Sequence, residues 1–282
     1  MSAGARVRCS GVVHVYRVAG TDVAALRGVD LHVNPGERVA LLGPSGSGKS
    51  TLLTVIAGLR QPSAGTVEID GHDIARSTPR QLHAYRARTA GLMLQGSLSN
   101  LLPWATAQQN IDYAMRGRGQ PQHVVDVLAV AGLADDQRPV AALDTAAQQS
   151  VALAVAMAGA PRLLLVDEPT SQLDDDARDR LLDALVDVTS AFDTTLLVVT
   201  HDEDVAARMQ RMIRMRDGRV GSEGQRHEQL AVIGADNSIQ LPEHLTAGWP
   251  ASARVEVTAV TPTQLRIDLR AELASDQVEQ AS

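Results

Sequence analysis

The sequence predicts an α/β fold: a doubly wound sheet core with a β-rich segment ahead of it and a helical insertion inside it. Three features point there. An apolar strand, Arg38-Val-Ala-Leu-Leu42, runs into the glycine-rich segment 43–48 and out into the helical run Leu52-Leu-Thr-Val-Ile-Ala57. Strand and helix patterns then alternate to about residue 220. Within that alternation, Arg162-Leu-Leu-Leu-Val-Asp167 reads as a continuous apolar strand of the kind buried on both faces of a parallel sheet.

Taken in order, residues 6–42 are β-rich, with strands at Val12-Val-His-Val15, Val29-Asp-Leu-His-Val33 and Arg38 to Leu42, and turns at Ala19-Gly20-Thr21 and Asn34-Pro35-Gly36. Gly65-Thr-Val-Glu-Ile-Asp-Gly71 is a further strand between glycines, residues 79–88 are helical, and Ala90-Gly-Leu-Met-Leu94 is a strand ending at Gln95. From Thr106 to Ala160 the pattern is helical, broken at 117–121 and at Arg138-Pro139, which defines an inserted helical subdomain over about 96–160. Helix 175–189, strand 194–200, helix 202–210 and a hairpin over 211–220 complete a first domain, 1–220. Residues 221–228 are polar and read as a linker, 229–270 as a small β-rich domain with strands at 253–258 and 264–269, and 271–282 as a tail.

Composition narrows the function classes. Hydrophobic residues make up 44% of the chain, but only two Trp, three Tyr and one Phe are present, so the core is aliphatic. A net charge of −7 supplies no basic field for a nucleic-acid backbone, and no nucleic-acid partner is expected. The single cysteine, Cys9, excludes an internal disulfide and reads as a small buried hydrophobe. The N-terminus lacks an apolar signal region, and no apolar run approaches the roughly 18 residues of a membrane span. Work at a membrane would need the span from another chain.

The chemistry starts at Gly43-Pro44-Ser45-Gly46-Ser47-Gly48-Lys49-Ser50-Thr51. Glycines let successive N–H groups turn inward on a polyphosphate, and the following helix adds its partial positive charge. Lys49 would reach the β- and γ-phosphates and the Ser50 hydroxyl would ligate Mg²⁺. A glycine-rich turn with an incidental basic residue would look similar, yet Lys49 is the only lysine in a chain with 26 basic residues. A compact ammonium has been kept where a phosphate wants a point charge rather than a planar fork. At the end of strand 162–167, Asp167 can hold Mg²⁺ through water and Glu168 can polarise a water for attack on a γ-phosphate. Strand 194–200 ends in Thr200-His201-Asp202, where His201 on its own would read as a strand-end cap.

Together these residues resemble the ATP-binding cassette family, from about Val12 to Val220. The resemblance implies the P-loop ABC ATPase fold, with a mixed-sheet core, a β-rich N-terminal subdomain and a helical subdomain, acting on ATP with Mg²⁺. It makes Tyr16 the aromatic that stacks on adenine and Gln95 the glutamine that senses Mg²⁺ and the attacking water while touching a membrane subunit. It likewise makes Ser171-Gln-Leu-Asp174 the segment that crosses to a partner subunit and His201 the switch histidine on the γ-phosphate. Gly91 to Gln95 and Leu101-Leu-Pro-Trp-Ala-Thr-Ala-Gln-Gln-Asn110 are similar to the macrolide-exporter and lipoprotein-release branch, whose ATPases drive permeases without passing substrate through a central pore. A peripheral location on the cytoplasmic side of the cell membrane, held by a transmembrane permease, follows from that likeness.

One departure matters. Counting back from Asp167, the family signature Leu-Ser-Gly-Gly-Gln falls on Leu143-Asp144-Thr145-Ala146-Ala147, and only the leucine survives. In the family this pentapeptide caps the γ-phosphate held by the other subunit. A carboxylate about 4 Å from a phosphate charge is unfavourable by roughly 4 kcal/mol at an effective dielectric near 20. Two arginines usual further along that helix are replaced by Ser150 and Val155. The expectation is therefore a heterodimer, in which a second ATPase subunit brings an intact signature to this chain's Lys49, Asp167, Glu168 and His201. A cassette that clamps ATP as a regulatory gate without hydrolysing it, or a soluble non-transport cassette, are the competing readings. Leu230 to Arg270 is similar to swapped-hairpin domains of bacterial transcription regulators, which suggests dimerisation or regulatory packing there, with a plain β appendage as the alternative.

Overall fold

In the computed structural model, described over residues 4–18, 20–118, 133, 136–225, 228–231, 239, 241, 249, 255–261 and 264–269, the chain opens with a long antiparallel hairpin. Strands β1 (Val7–Val18) and β2 (Thr21–Val33) pair along most of their length, and β1 also pairs with β4 (Ala64–Ile69), which pairs with β5 (His72–Asp73). The result is an antiparallel sheet of order β2-β1-β4-β5. Both hairpin strands extend beyond the expected segments because the interruptions around Cys9–Val13 are absorbed as bulges.

The second sheet holds the site. Strands β3 (Arg38–Leu42), β6 (Ala90–Met93), β7 (Leu163–Asp167) and β8 (Thr195–Thr200) run parallel, with β9 (Arg211–Arg216) parallel to β3 on the other side. Strands β10 (Arg219–Gln225) and β11 (Glu228–Ala231) add antiparallel to that edge, giving the order β11-β10-β9-β3-β8-β7-β6. The expected linker at 221–228 is thus corrected to a sheet-edge hairpin. An edge pair is held by its backbone ladder, so a run as polar as Gly221-Ser222-Glu223-Gly224 serves as a strand with little apolar signal.

Among the described residues the helices are α1 (Lys49–Ile56), α2 (Pro79–Arg88), α3 (Ala107–Arg118), α4 (Thr145–Met157), α5 (Asp175–Ala191) and α6 (Glu203–Ala207). Their starts follow from local chemistry. Thr78 and Gln81 form a capping box ahead of α2, with Pro79 at its first position. Asp144, Asp174 and Asp202 cap α4, α5 and α6 through their carboxylates. Within the expected helical block 106–160, α3 and α4 are seen, and residues 119–132 lie outside the described set. Helix α6 stops at Ala207, short of the expected 210.

Alternation along β7 explains its unbroken apolar run. Leu163 and Leu165 face the core shared with β1, β2 and α1, while Leu164 and Val166 face the core shared with α4 and α5. All four are fully buried, each worth about 1.5–3 kcal/mol of transfer free energy. The strand's register therefore fixes where Asp167 and Glu168 emerge.

The chain divides into two compact units, Met1–Gln240 and Leu241–Ser282. In the second, β12 (Val255–Thr261) and β13 (Gln264–Leu269) form an antiparallel ribbon. Val255, Val257, Ala259, Leu265 and Ile267 share one face of it, and Glu256, Thr258, Arg266 and Asp268 share the other. The expected strands at 253–258 and 264–269 match this pair closely, whereas 232–238, 270 and the expected tail 271–282 lie outside the described residues.

Candidate nucleotide site

Strand β3 ends at Leu42, and the loop 43–48 turns the chain back into α1. Two glycines make the turn feasible. A Cβ on Gly43 would sit 2.1 Å from the Met215 carbonyl, and Gly48 has φ +99° with the Ala25 carbonyl 2.5 Å from where its Cβ would be. Lys49 opens α1 and is 6% exposed. Its ammonium donates to the carbonyls of Gly43 (2.6 Å) and Pro44 (2.9 Å), which ties the loop into a ring. Burial lowers the Lys49 pKa from its ordinary value, opposed by the charges of Glu168 and Asp167.

Both acids arrive from the end of β7. Ser50 Oγ donates to Asp167 Oδ1 at 3.0 Å, so a hydroxyl from the first turn of α1 and a carboxylate from the end of β7 already converge as a divalent-cation site requires. Burial raises the Asp167 pKa; the Ser50 hydrogen bond opposes this, Glu168 adds to it and Lys49 counters it. Glu168 is also buried, and its side chain meets His201 Nδ1 at 2.9 Å from the end of β8. Its backbone has φ +48°, a conformation that non-glycine residues rarely adopt. The strain is held by the bond from Glu168 N–H to the Val199 carbonyl (2.9 Å) and by Ser171 Oγ, which donates to the Glu168 carbonyl (3.0 Å).

These groups surround one cleft of about 610 Å³, lined by Tyr16, Ala25, Pro44, Ser45, Gly46, Gly48, Lys49, Ser50, Thr51, Gln95, Glu168 and His201. Tyr16 is fixed from three sides: its hydroxyl bonds Thr51 Oγ1 (3.1 Å), the His14 ring meets it edge-on (4.7 Å), and the Arg60 guanidinium lies 5.1 Å from its ring centre. Ser47 Oγ is buried without a hydrogen-bond partner among the described residues. An orphaned hydroxyl inside a glycine loop, beside the lone ammonium and a hydroxyl–carboxylate pair, fits a bound polyphosphate and Mg²⁺.

Nearly all the expected ligand-binding positions thus meet in one place, Asp167 joining through Ser50. The signature positions do not line this cleft. Leu143 is buried, and Asp144 accepts from the Ala147 N–H at 2.8 Å to cap α4. Asp174 likewise caps α5 through the Ala177 N–H (2.8 Å). The sequence reading passed over His14, Ala25 and Arg60, whose roles depend on how β1, β2 and the 60–63 turn fold together; Ser63 N–H to the Val13 carbonyl (2.7 Å) is one bond that brings them there.

A strand, phosphate loop and helix beside an acid pair at the carboxyl ends of parallel strands define a P-loop nucleotide hydrolase. A family model described as ABC transporter matches residues 26–171. The lipoprotein-releasing system ATP-binding protein LolD of Ruegeria pomeroyi is 41% identical over 227 residues, spanning 77% of this chain and 97% of that protein. The macrolide export ATP-binding/permease protein MacB of Rhodopirellula baltica is 36% identical over 77% of this chain and 33% of its own greater length. Among solved structures, the dimeric bacterial ABC transporter cassette MJ0796 superposes with a TM-score of 0.72 at 30% identity, over 79% of this chain and 99% of that one. Its post-hydrolysis dimer bound to ADP and Pi gives 0.71 at 30% identity, over the same shares. The chain belongs to the ABC transporter family and is an ATPase of its lipoprotein-release and macrolide-export branch.

Proposed function

We propose that this chain binds Mg-ATP in the 610 Å³ cleft, hydrolyses it, and energises a separate transmembrane permease from the cytoplasmic face of the membrane. In this reading Tyr16 stacks on the base, while the loop from Gly43 to Gly48 and the Lys49 ammonium hold the phosphates. Ser50, Asp167 and Gln95 would hold Mg²⁺, which when bound neutralises phosphate charge. Glu168 orients and polarises the attacking water, its carboxylate aimed by His201 at 2.9 Å.

Among the described residues no helix is long and apolar enough to cross a membrane. Trp104 and Tyr113, two of the chain's six aromatic residues, stand 75% and 66% exposed in the segment following Gln95. A permease's cytoplasmic element is the partner that best accounts for aromatic surface there.

The reading extends to an asymmetric pair. Its single supporting observation is the carboxylate of Asp144 at the N-terminus of α4, already accepting the Ala147 N–H at 2.8 Å. A free helix N-terminus attracts phosphate; one capped by an anion repels it. A second ATPase subunit with an intact signature would complete the site over Lys49 and Glu168. Steady-state ATP hydrolysis by the purified chain, alone and together with the ATPase and permease that co-purify with it, tests this. Slow turnover alone and fast turnover in the complex, abolished by Glu168→Gln in this chain, is expected. Fast turnover by the chain alone overturns the asymmetric pair, and insensitivity of the complex to Glu168→Gln overturns hydrolysis at this site.

A further inference from the structure

Tyr16 stands in a closed circuit of contacts that begins and ends on its own side chain. Its hydroxyl meets Thr51 Oγ1 at 3.1 Å, in the first turn of α1. The Thr51 carbonyl accepts from Thr54 Oγ1 (2.9 Å), and the Thr54 carbonyl accepts the N–H groups of Leu59 (3.0 Å) and Arg60 (3.2 Å), which folds the chain back past the end of the helix. Arg60 then returns its guanidinium to the Tyr16 ring, 5.1 Å from the centre. The turn that carries Arg60 is also fastened to the three residues before Tyr16. Ser63 N–H donates to the Val13 carbonyl (2.7 Å), His14 Nδ1 to the Gln61 carbonyl (3.0 Å), and Val15 N–H to Ser63 Oγ (3.1 Å). Ring and turn are thus placed by bonds that do not involve the exposed Arg60 side chain, whose contact with the ring is an addition to that frame.

Tyr16 is among the described residues that line the cleft, and neither Arg60 nor His14 is. The guanidinium therefore backs the side of the ring turned away from the cleft. From this geometry we infer that Arg60 is a positioning residue for the nucleotide base, holding the Tyr16 ring from behind so that an adenine stacks on the face in front. The inference rests on Tyr16 being the base platform. Two physical effects carry it. A cation over an aromatic face is attracted by the ring's negative quadrupole, so tilting the ring out of the stacking plane costs that attraction. The cation also draws π density towards itself, which lessens the repulsion between the negative faces of the ring and of a purine laid against it. A basic side chain near a phosphate loop could act instead by plain attraction of phosphate charge. The two roles have different signatures: attraction strengthens the binding of any polyphosphate, whereas base positioning strengthens only ligands that carry a base.

Calorimetric titration of the full chain with Mg-ATP and, separately, with inorganic tripolyphosphate and Mg²⁺ tests it. Arg60→Met, which keeps an unbranched stem and removes the charge, is expected to weaken Mg-ATP binding about threefold, the order an exposed cation–π contact supplies, and to leave tripolyphosphate binding unchanged. Arg60→Lys restores most of the loss. In a Tyr16→Ala background, Arg60→Met has no further effect on ATP, because the ring through which it acts is gone. Unchanged ATP affinity in Arg60→Met, an equal loss for ATP and tripolyphosphate, or the same loss with Tyr16→Ala already in place overturns the inference. Tyr16→Ala that binds ATP as tightly as the wild type overturns the reading of Tyr16 as the base platform, a different outcome from those three.

Discussion

At the scale of single residues, Lys49 shows how much one side chain can carry. Its two bonds to Gly43 and Pro44 use directions that a compact ammonium satisfies and a planar guanidinium does not. Lys49→Arg is accordingly expected to lower ATP affinity at least about tenfold in a binding titration, despite keeping the charge. Asp167 makes a prediction about pH. Its folded pKa stands above the ordinary 3.8, so the nucleotide-free protein retains a proton that the unfolded chain releases. The stability tied to that proton is present below the ordinary value and lost as pH rises through the raised one. Asp167→Asn removes the loss: its thermal midpoint without nucleotide is expected to exceed the wild type's above that interval, while Mg²⁺ dependence of ATP binding weakens. Lys49, Ser50, Asp167 and Glu168 were legible because each stands in a motif beside its own strand, whereas His201 alone read as a strand-end cap and took its role only from the family resemblance. The strained φ of Glu168 and the Arg60 guanidinium over Tyr16 were not legible, since they depend on Val199 and on the 60–63 turn, remote in sequence or set by tertiary folding.

Among the elements, α4 separates two meanings of the same carboxylate. Asp144 reads in sequence as a lost signature serine and in the structure as a helix cap to the Ala147 N–H. Under the proposed function the two readings are linked, because an N-cap and a phosphate compete for the same N–H groups. Urea denaturation distinguishes their contributions: Asp144→Ala should destabilise by about 0.5–2 kcal/mol, whereas Asp144→Ser, which restores a capping hydroxyl, should be close to neutral. The helices and parallel strands were readable because burial imposes periodicity on them. The β10–β11 hairpin was hidden for the opposite reason, since backbone pairing on an edge asks little of side chains such as those at 221–224.

For the whole molecule, the proposed function takes the cassette unit to present a phosphate-and-acid half-site and a helix end, capped by Asp144, that does not serve as the complementary half. Two identical copies would place Asp144 opposite each Lys49, and roughly 4 kcal/mol of repulsion at about 4 Å is enough to suppress productive closure about a thousandfold. The direct measurement is steady-state ATP hydrolysis by the chain alone, wild type against a graft carrying Asp144→Ser, Thr145→Gly, Ala146→Gly and Ala147→Gln together. A graft that turns over far faster than the wild type, with the gain abolished by Glu168→Gln, is the predicted result. Wild-type turnover equal to that of a folded, ATP-binding graft would contradict it.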